Sequence, residues 1–261
     1  MTTLSIRDLT VRYGTGRHAH LAVDGVSLTV PSGRTLGLVG ESGSGKSSVA
    51  AAIVGLAKPS AESSIDLGGV EITARDAASR TARRRIQLVF QDPFSALDPR
   101  MPIGASIAEA TRATGRRWTR ADTQRRVAEL LRRVHIDPSR AAELPSAFSG
   151  GQRQRITIAR ALAGEPAVLI ADEITSALDV SVQGVILNLL RELQEELGLT
   201  MLFISHNLAV VRYVSHEIAV MRDGRVVESG ETEAVLENPA EGYTAELLDA
   251  VPVLGRRIDL G

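Results

Sequence analysis

The chain has 261 residues, room for one large domain or for a core with a subdomain. Lys+Arg 30 against Asp+Glu 31 gives a formal net charge of -1, so no global basic field argues for nucleic acid, and the lack of cysteine excludes disulfides and thiolate metal sites. The longest apolar run, residues 49–57, is far below the ~18 needed to cross a bilayer, and no secretory signal is visible, so a soluble protein of a reducing cytoplasm is expected.

Residues 4–13 alternate (Leu4, Ile6, then Leu9, Val11), which predicts a half-buried strand, and 14–20 reads as a loop. Residues 23–30 alternate again (Val26, Leu28, Val30) and stop at Pro31-Ser32-Gly33, so the two strands resemble a hairpin-like pair. An apolar strand at 35–39 leads through Gly40-Glu41-Ser42-Gly43-Ser44-Gly45-Lys46-Ser47 into a helix with Val49, Ile53 and Leu56 inward. Residues 85–90 predict another buried strand, closed by Gln91-Asp92-Pro93. Helical patterns then dominate, over 103–113, over 123–134 and after Gly151, as if a helical block were inserted into an α/β core. The core resumes with a continuous apolar strand at 167–171, of the kind that parallel sheets bury on both faces. A helix with Val182, Val185-Ile186, Leu189-Leu190, Leu193 and Leu197 follows, then a strand at 201–204 and a pair around Arg222-Asp223-Gly224. Strands alternating with helices argue for a mainly parallel sheet with helices on both faces.

Three stretches carry chemistry. The segment 40–47 fits G-x-x-x-x-G-K-[ST] between a strand and a helix, the context that gives the match meaning. Its backbone N–H groups would cradle a phosphate, Lys46 would supply a cation, and the Ser47 hydroxyl would ligate Mg²⁺. The apolar strand 168–173 ends in two carboxylates, with Asp172 placed to hold Mg²⁺ and Glu173 to polarise an attacking water; the plain alternative is two solvated acids at a strand end. Ser149-Gly150-Gly151-Gln152 opens a helix with Ile156, Ala159 and Leu162-Ala163 on one side, and two glycines would let a phosphate approach its free N–H groups. Tyr13, Gln91 and His206 sit at strand ends, where such residues by themselves are ordinary surface or edge groups. The basic runs Arg80, Arg83, Arg84, Arg85 and Arg116-Arg117 and Arg125-Arg126 read as solvated faces, and His18 and His20 as surface residues.

The order Tyr13, the 40–47 loop, Gln91, Ser149 to Gln152, Asp172-Glu173, Ser176-Ala177-Leu178-Asp179 and His206 resembles the nucleotide-binding subunits of ATP-binding cassette transporters over essentially the whole chain. The resemblance implies a P-loop NTPase core with a mainly parallel sheet (1–92 and 163–235), an N-terminal antiparallel β part, a helical signature subdomain (93–162) and a helical tail (236–261). It implies ATP and Mg²⁺ as cofactors. Tyr13 would stack on adenine, Gly40 to Ser48 would hold the phosphates, Gln91 would sense Mg²⁺ and the attacking water, and His206 would contact the γ-phosphate. Two cassettes, identical or paralogous, would pair head to tail, with Ser149, Gly150, Gly151, Gln152 and Asp179 completing the partner's site. The stretches 89–100, 176–183 and 238–252 are similar to the dipeptide/oligopeptide/nickel import group. That implies a peripheral subunit at the cytoplasmic face of the membrane, with two transmembrane permease subunits and an extracytoplasmic solute-binding protein, and no nucleic acid. A soluble cassette ATPase acting on DNA or ribosomes is the alternative, but a long coiled coil, zinc cysteines or a second cassette would then be expected. Ile174 in place of a proline, Asn207 in place of an acid, and a missing glycine in 59–64 depart from the family pattern. Without cysteine, the iron–sulfur cluster of some group members has no ligands here.

Overall fold

The computed structural model describes residues 2–14, 16, 19–74, 76–90, 92 and 96–249. Two sheets organise it. The first is antiparallel and joins β1 (Leu4–Tyr13), β2 (His20–Val30), β4 (Ser64–Leu67) and β5 (Val70–Glu71) in the order β2-β1-β4-β5. The slip in the β1 pattern, from even positions (Leu4, Ile6) to odd ones (Leu9, Val11), has a structural cause. Asp8 adopts φ 49° and the register against β2 shifts between Ile6 and Leu9, so a β-bulge absorbs the extra residue and all four apolar side chains stay inside.

The second sheet joins β3 (Thr35–Val39), β6 (Ile86–Val89), β7 (Val168–Asp172), β8 (Thr200–Ser205), β9 (Glu217–Arg222) and β10 (Arg225–Glu231) in the order β10-β9-β3-β8-β7-β6. Every pairing is parallel except β9 with β10. Successive side chains of a strand face opposite ways, so this sheet divides the interior in two. Leu38, Val168, Ile170, Leu202 and Ile204 join the antiparallel sheet and α1 (Lys46–Ile53) in one apolar cluster. Leu169, Ala171, Met201, Phe203 and Val220 join the helices on the other face.

Those helices are α3 (Ile103–Ala110), α4 (Arg120–Arg133), α5 (Gly150–Ala163), α6 (Val180–Leu197) and α7 (Leu208–Val214); α2 (Ala77–Arg83) precedes β6. The expected 103–113 helix is shorter, tightening after Ala110 into a 3₁₀ turn that ends at Gly115 with φ +70°. The last elements among the described residues are α8 (Thr232–Glu237) and α9 (Gly242–Asp249).

Two expectations are corrected. Leu56 is not inward but 72% exposed, because α1 stops at Ile53 and Gly55 turns the chain with φ +82°. Arg83 is not a solvated basic residue; it is half-buried, and its guanidinium donates to the Ile72 and Ala74 carbonyls. The strands β4 and β5 and the helices α2, α7 and α8 are too short for periodicity to reveal.

Candidate nucleotide site

The 40–47 loop joins β3 to α1, and its shape is dictated by what encloses it. Gly40 lies against the Met221 carbonyl, where an added Cβ would come within 2.0 Å of the oxygen. Gly45 adopts φ +105° and lies against Ala22, where a Cβ would be 2.3 Å from the carbonyl oxygen. The Gly224 N–H donates to the Ser44 carbonyl at 3.0 Å. The loop is thus gripped by β2 and by the β9–β10 turn. Its carbonyls converge on Lys46, whose ammonium donates to the Gly40 and Glu41 oxygens, both at 2.7 Å, and to Ser44 Oγ at 3.2 Å. Burial pushes the Lys46 pKa down, while Glu173, Asp172 and Glu41 pull it partly back. Lys46 is also the first residue of α1, which has no acid in its first turn, so the N–H groups of that turn, including those of Ser47 and Ser48, favour an anion.

Two parallel strands, β7 and β8, deliver the remaining groups at their carboxyl ends, where open α/β sheets bind ligands. Ser47 Oγ donates to Asp172 Oδ1 at 3.3 Å, at the end of β7. Burial raises the Asp172 carboxyl pKa, the Ser47 hydrogen bond opposes it, and the neighbouring Glu173 charge raises it further against the pull of Lys46. Glu173 then leaves the sheet with φ 49°, its N–H bonded to the Ile204 carbonyl at 2.9 Å. The turn is fixed on its other side by Ser176, whose N–H and hydroxyl both donate to the Glu173 carbonyl. That geometry brings Glu173 Oε1 to 3.4 Å from Nδ1 of His206, which follows β8. In the β7–β8 register Asp172 pairs with Ile204, which sets the ends of the two strands side by side.

The two departures near this corner have physical accounts. Asn207 caps α7, its Oδ1 accepting from the N–H groups of Ala209 (3.0 Å) and Val210 (3.4 Å), so the amide keeps the acceptor that a cap requires. Ile174 is fully buried in the apolar cluster beneath the helices.

Residues 149–152 are built as a helix start. Ser149 Oγ accepts from the Gln152 N–H and Gln152 Oε1 from the Ser149 N–H, a reciprocal capping box. A Cβ on Gly151 would lie 2.4 Å from Val182 Cγ1, so this glycine serves the close docking of α5 on α6. Ser149, at the start of the turn, is exposed. Asp179 caps α6, accepting from the Val182 N–H (3.0 Å) and Ser181 Oγ (2.9 Å), which lower its carboxyl pKa in that order. Among the described residues no hydrogen bond or ion pair joins residues 149–152 to the 40–47 loop. Tyr13 ends β1 opposite His20 and is 43% exposed. Gln91 and His18 lie outside the described residues.

One contact has no sign in the sequence. Tyr243 of α9 accepts the Glu41 N–H at 3.2 Å through its hydroxyl, although 202 positions separate the two residues.

Residues 23–176 match the family model described as ABC transporter. The chain is 51% identical over 247 residues to a putative peptide import ATP-binding protein of Brucella abortus, covering 94% of itself and 73% of that protein. It is 52% identical over 231 residues to the oligopeptide transport ATP-binding protein OppD of Mycobacterium tuberculosis, of which it spans 37%. Among solved structures, a dimeric ATP-binding cassette in a post-hydrolysis state bound to ADP and Pi superposes with a TM-score of 0.77 at 29% identity, over 88% of this chain and 98% of that one. CbiO1 of Clostridium perfringens, part of the ABC transporter complex cbiONQ, gives 0.78 at 28% identity over 90% of each. With more than half of its length inside the family model, relatives at half identity and the cassette's own arrangement of strands and helices, this chain belongs to the ABC transporter family.

Proposed function

We propose that the chain is the ATP-binding and ATP-hydrolysing subunit of an importer for peptides or a related small solute. The observation that carries the ATPase reading is the convergence of Lys46, Ser47, Asp172, Glu173 and His206 at the ends of β3, β7 and β8. The 40–47 loop and the first turn of α1 hold the phosphates, with Lys46 turning from the loop carbonyls to the β/γ oxygens. Tyr13 offers an exposed ring for adenine. Glu173 orients or deprotonates the attacking water, and His206, beside it, meets the γ-phosphate. The Ser47 hydroxyl and the Asp172 carboxylate are hard oxygen donors suited to Mg²⁺, and the described residues hold no group of three acids or histidines able to cage a metal unaided. Two protein oxygens with phosphate and water completing the shell is the usual mode for Mg²⁺, which when bound neutralises phosphate charge. Gln91 is assigned the sensing role by resemblance alone.

Among the described residues nothing from the 40–47 loop bonds to the exposed Ser149 turn, which supports its use by a second cassette, and Leu178, next to Asp179, lies against Gly150. ATP then joins the two subunits and its hydrolysis releases them, a switch resting on differential contacts with ATP and ADP. The division into core (1–92 and 163–235), helical subdomain (93–162) and tail (236–261) belongs to this reading. So do the partners: two permease subunits, a second ATPase subunit and, indirectly, a solute-binding protein, at the cytoplasmic face of the membrane. No helix among the described residues is long and apolar enough to cross a membrane. Peptide import is the printed function of the Brucella abortus and Mycobacterium tuberculosis relatives and is extended here from them.

Affinity purification of the tagged chain from detergent-solubilised membranes of its host tests the transport reading. Recovery of multi-span permeases is expected; recovery of only DNA- or ribosome-associated proteins would sink it and favour the soluble alternative. The pairing step has its own test. Ser149→Arg is expected to keep ATP binding by the single chain but to abolish ATP-driven dimerisation in a Glu173→Gln background, read by light scattering. Its melting temperature controls for the lost N-cap, worth about 1 kcal/mol. Unaltered pairing would contradict a site shared between subunits.

A further inference from the structure

Glu41 is held at both ends of its backbone. Its carbonyl accepts from the Lys46 ammonium at 2.7 Å, and its N–H donates to Tyr243 Oη at 3.2 Å. Tyr243 is 7% exposed, and the Arg222 guanidinium lies 4.6 Å from the centre of its ring. Helix α9, which carries Tyr243, is tied down just before its start. The Glu228 carboxylate of β10 accepts from the N–H groups of Ala240 (2.8 Å) and Glu241 (3.3 Å). The β9–β10 hairpin that anchors α9 is therefore the hairpin that presses on Gly40 through Met221 and bonds Ser44 through Gly224.

All three donors of Lys46 are engaged inside the loop: the Gly40 and Glu41 carbonyls and Ser44 Oγ. Once the ammonium turns to a phosphate, those internal ties are given up, and the loop has to keep its shape by contacts from outside. At Glu41 the phenol of Tyr243 is such a contact. We infer that Tyr243 is a positioning residue of the phosphate loop, and that α9 is thereby a working part of the nucleotide site. The inference rests on the reading that the 40–47 loop holds nucleotide phosphates. Arg222 lies over the ring, and the hydroxyl makes the hydrogen bond to the loop. A phenol retained only for packing would give a phenylalanine variant identical to the wild type.

Tyr243→Phe keeps the ring and its stacking and removes only the hydroxyl. In the full chain it is expected to raise the ATP Kd and KM about fivefold, the worth of one neutral hydrogen bond. Turnover at saturating ATP and the melting temperature without nucleotide stay close to wild type, and amide hydrogen exchange at Glu41 quickens in the absence of ATP. Glu228→Gln, which costs the start of α9 one of its two acceptors, is expected to move KM the same way. Unchanged ATP affinity with unchanged exchange at Glu41 overturns the inference, and so does a parallel fall of turnover and melting temperature, which marks a purely structural residue. A wild-type chain that fails to bind ATP overturns the nucleotide reading itself, and the exchange result at Glu41 then separates that failure from the loss of a Tyr243 contact.

Discussion

Glu173→Gln is expected to lower ATP turnover by about 10²–10⁴-fold while leaving ATP affinity within a few-fold of wild type. The glutamine occupies the same volume and keeps the φ 49° turn, whose N–H and carbonyl bonds to Ile204 and Ser176 involve only its backbone. What changes is the acceptor facing the site. A carboxylate 3.4 Å from His206 can take or orient a proton of water, and a neutral amide cannot take one. The strained backbone supports this assignment. A non-glycine residue in the left-handed region costs on the order of 1–3 kcal/mol and persists only where its surroundings impose it. Here three backbone-directed hydrogen bonds do so, and the outcome is a side chain aimed out of the sheet at the end of β8. Single-turnover hydrolysis beside equilibrium ATP binding measures the effect. Turnover near the wild-type rate would remove Glu173 from the role of base.

Gly45→Ala is expected to abolish ATP binding and to destabilise the fold by about 2–5 kcal/mol, combining backbone strain with overpacking. At φ +105° a side chain is unfavourable whatever the space, and here the new Cβ would sit 2.3 Å from the Ala22 carbonyl oxygen. That oxygen belongs to β2, so relief requires either a strand shift or a loop that no longer follows its track. Gly43→Ala is the informative control, since nothing lies within 4 Å of its added Cβ and only its φ of +85° resists. Urea unfolding of both variants, with ATP titration, separates the two contributions. Equal behaviour of the pair would mean that the contact with β2 does not shape the loop.

Much of this arrangement is legible in the sequence because it depends on neighbours along the chain. The parallel strands show as unbroken apolar runs, and the loop–helix junction at 40–47 announces its own backbone demands through glycine. Even the bulge in β1 is visible as a slip from Ile6 to Leu9. The rest is tertiary. The packing of Val182 against Gly151 has no sign in the local sequence. Arg83 looks solvated until two carbonyls are found at its guanidinium. Leu56 continues a helical pattern that Gly55 ends one residue earlier. Asn207 reads as a departure from an acid, yet the helix end behind it asks only for an acceptor. The hydroxyl of Tyr243 on Glu41 has no local signature at all.

The grip on the phosphate loop also sets a timetable for the newborn chain. The motif itself is complete once residue 47 is made, but its supports arrive from Met221, Gly224 and Tyr243. At roughly 5–20 residues per second, the ribosome takes about 10–40 s to cover that distance. During this interval Gly45 can lean on the Ala22 carbonyl of β2, but Gly40 lacks the Met221 carbonyl and Ser44 lacks the Gly224 N–H, so a nascent chain stalled before β9 carries the whole motif with only part of its support. The support of the phosphate loop is therefore completed late, only when β9, β10 and α9 have been made, long after the motif they hold.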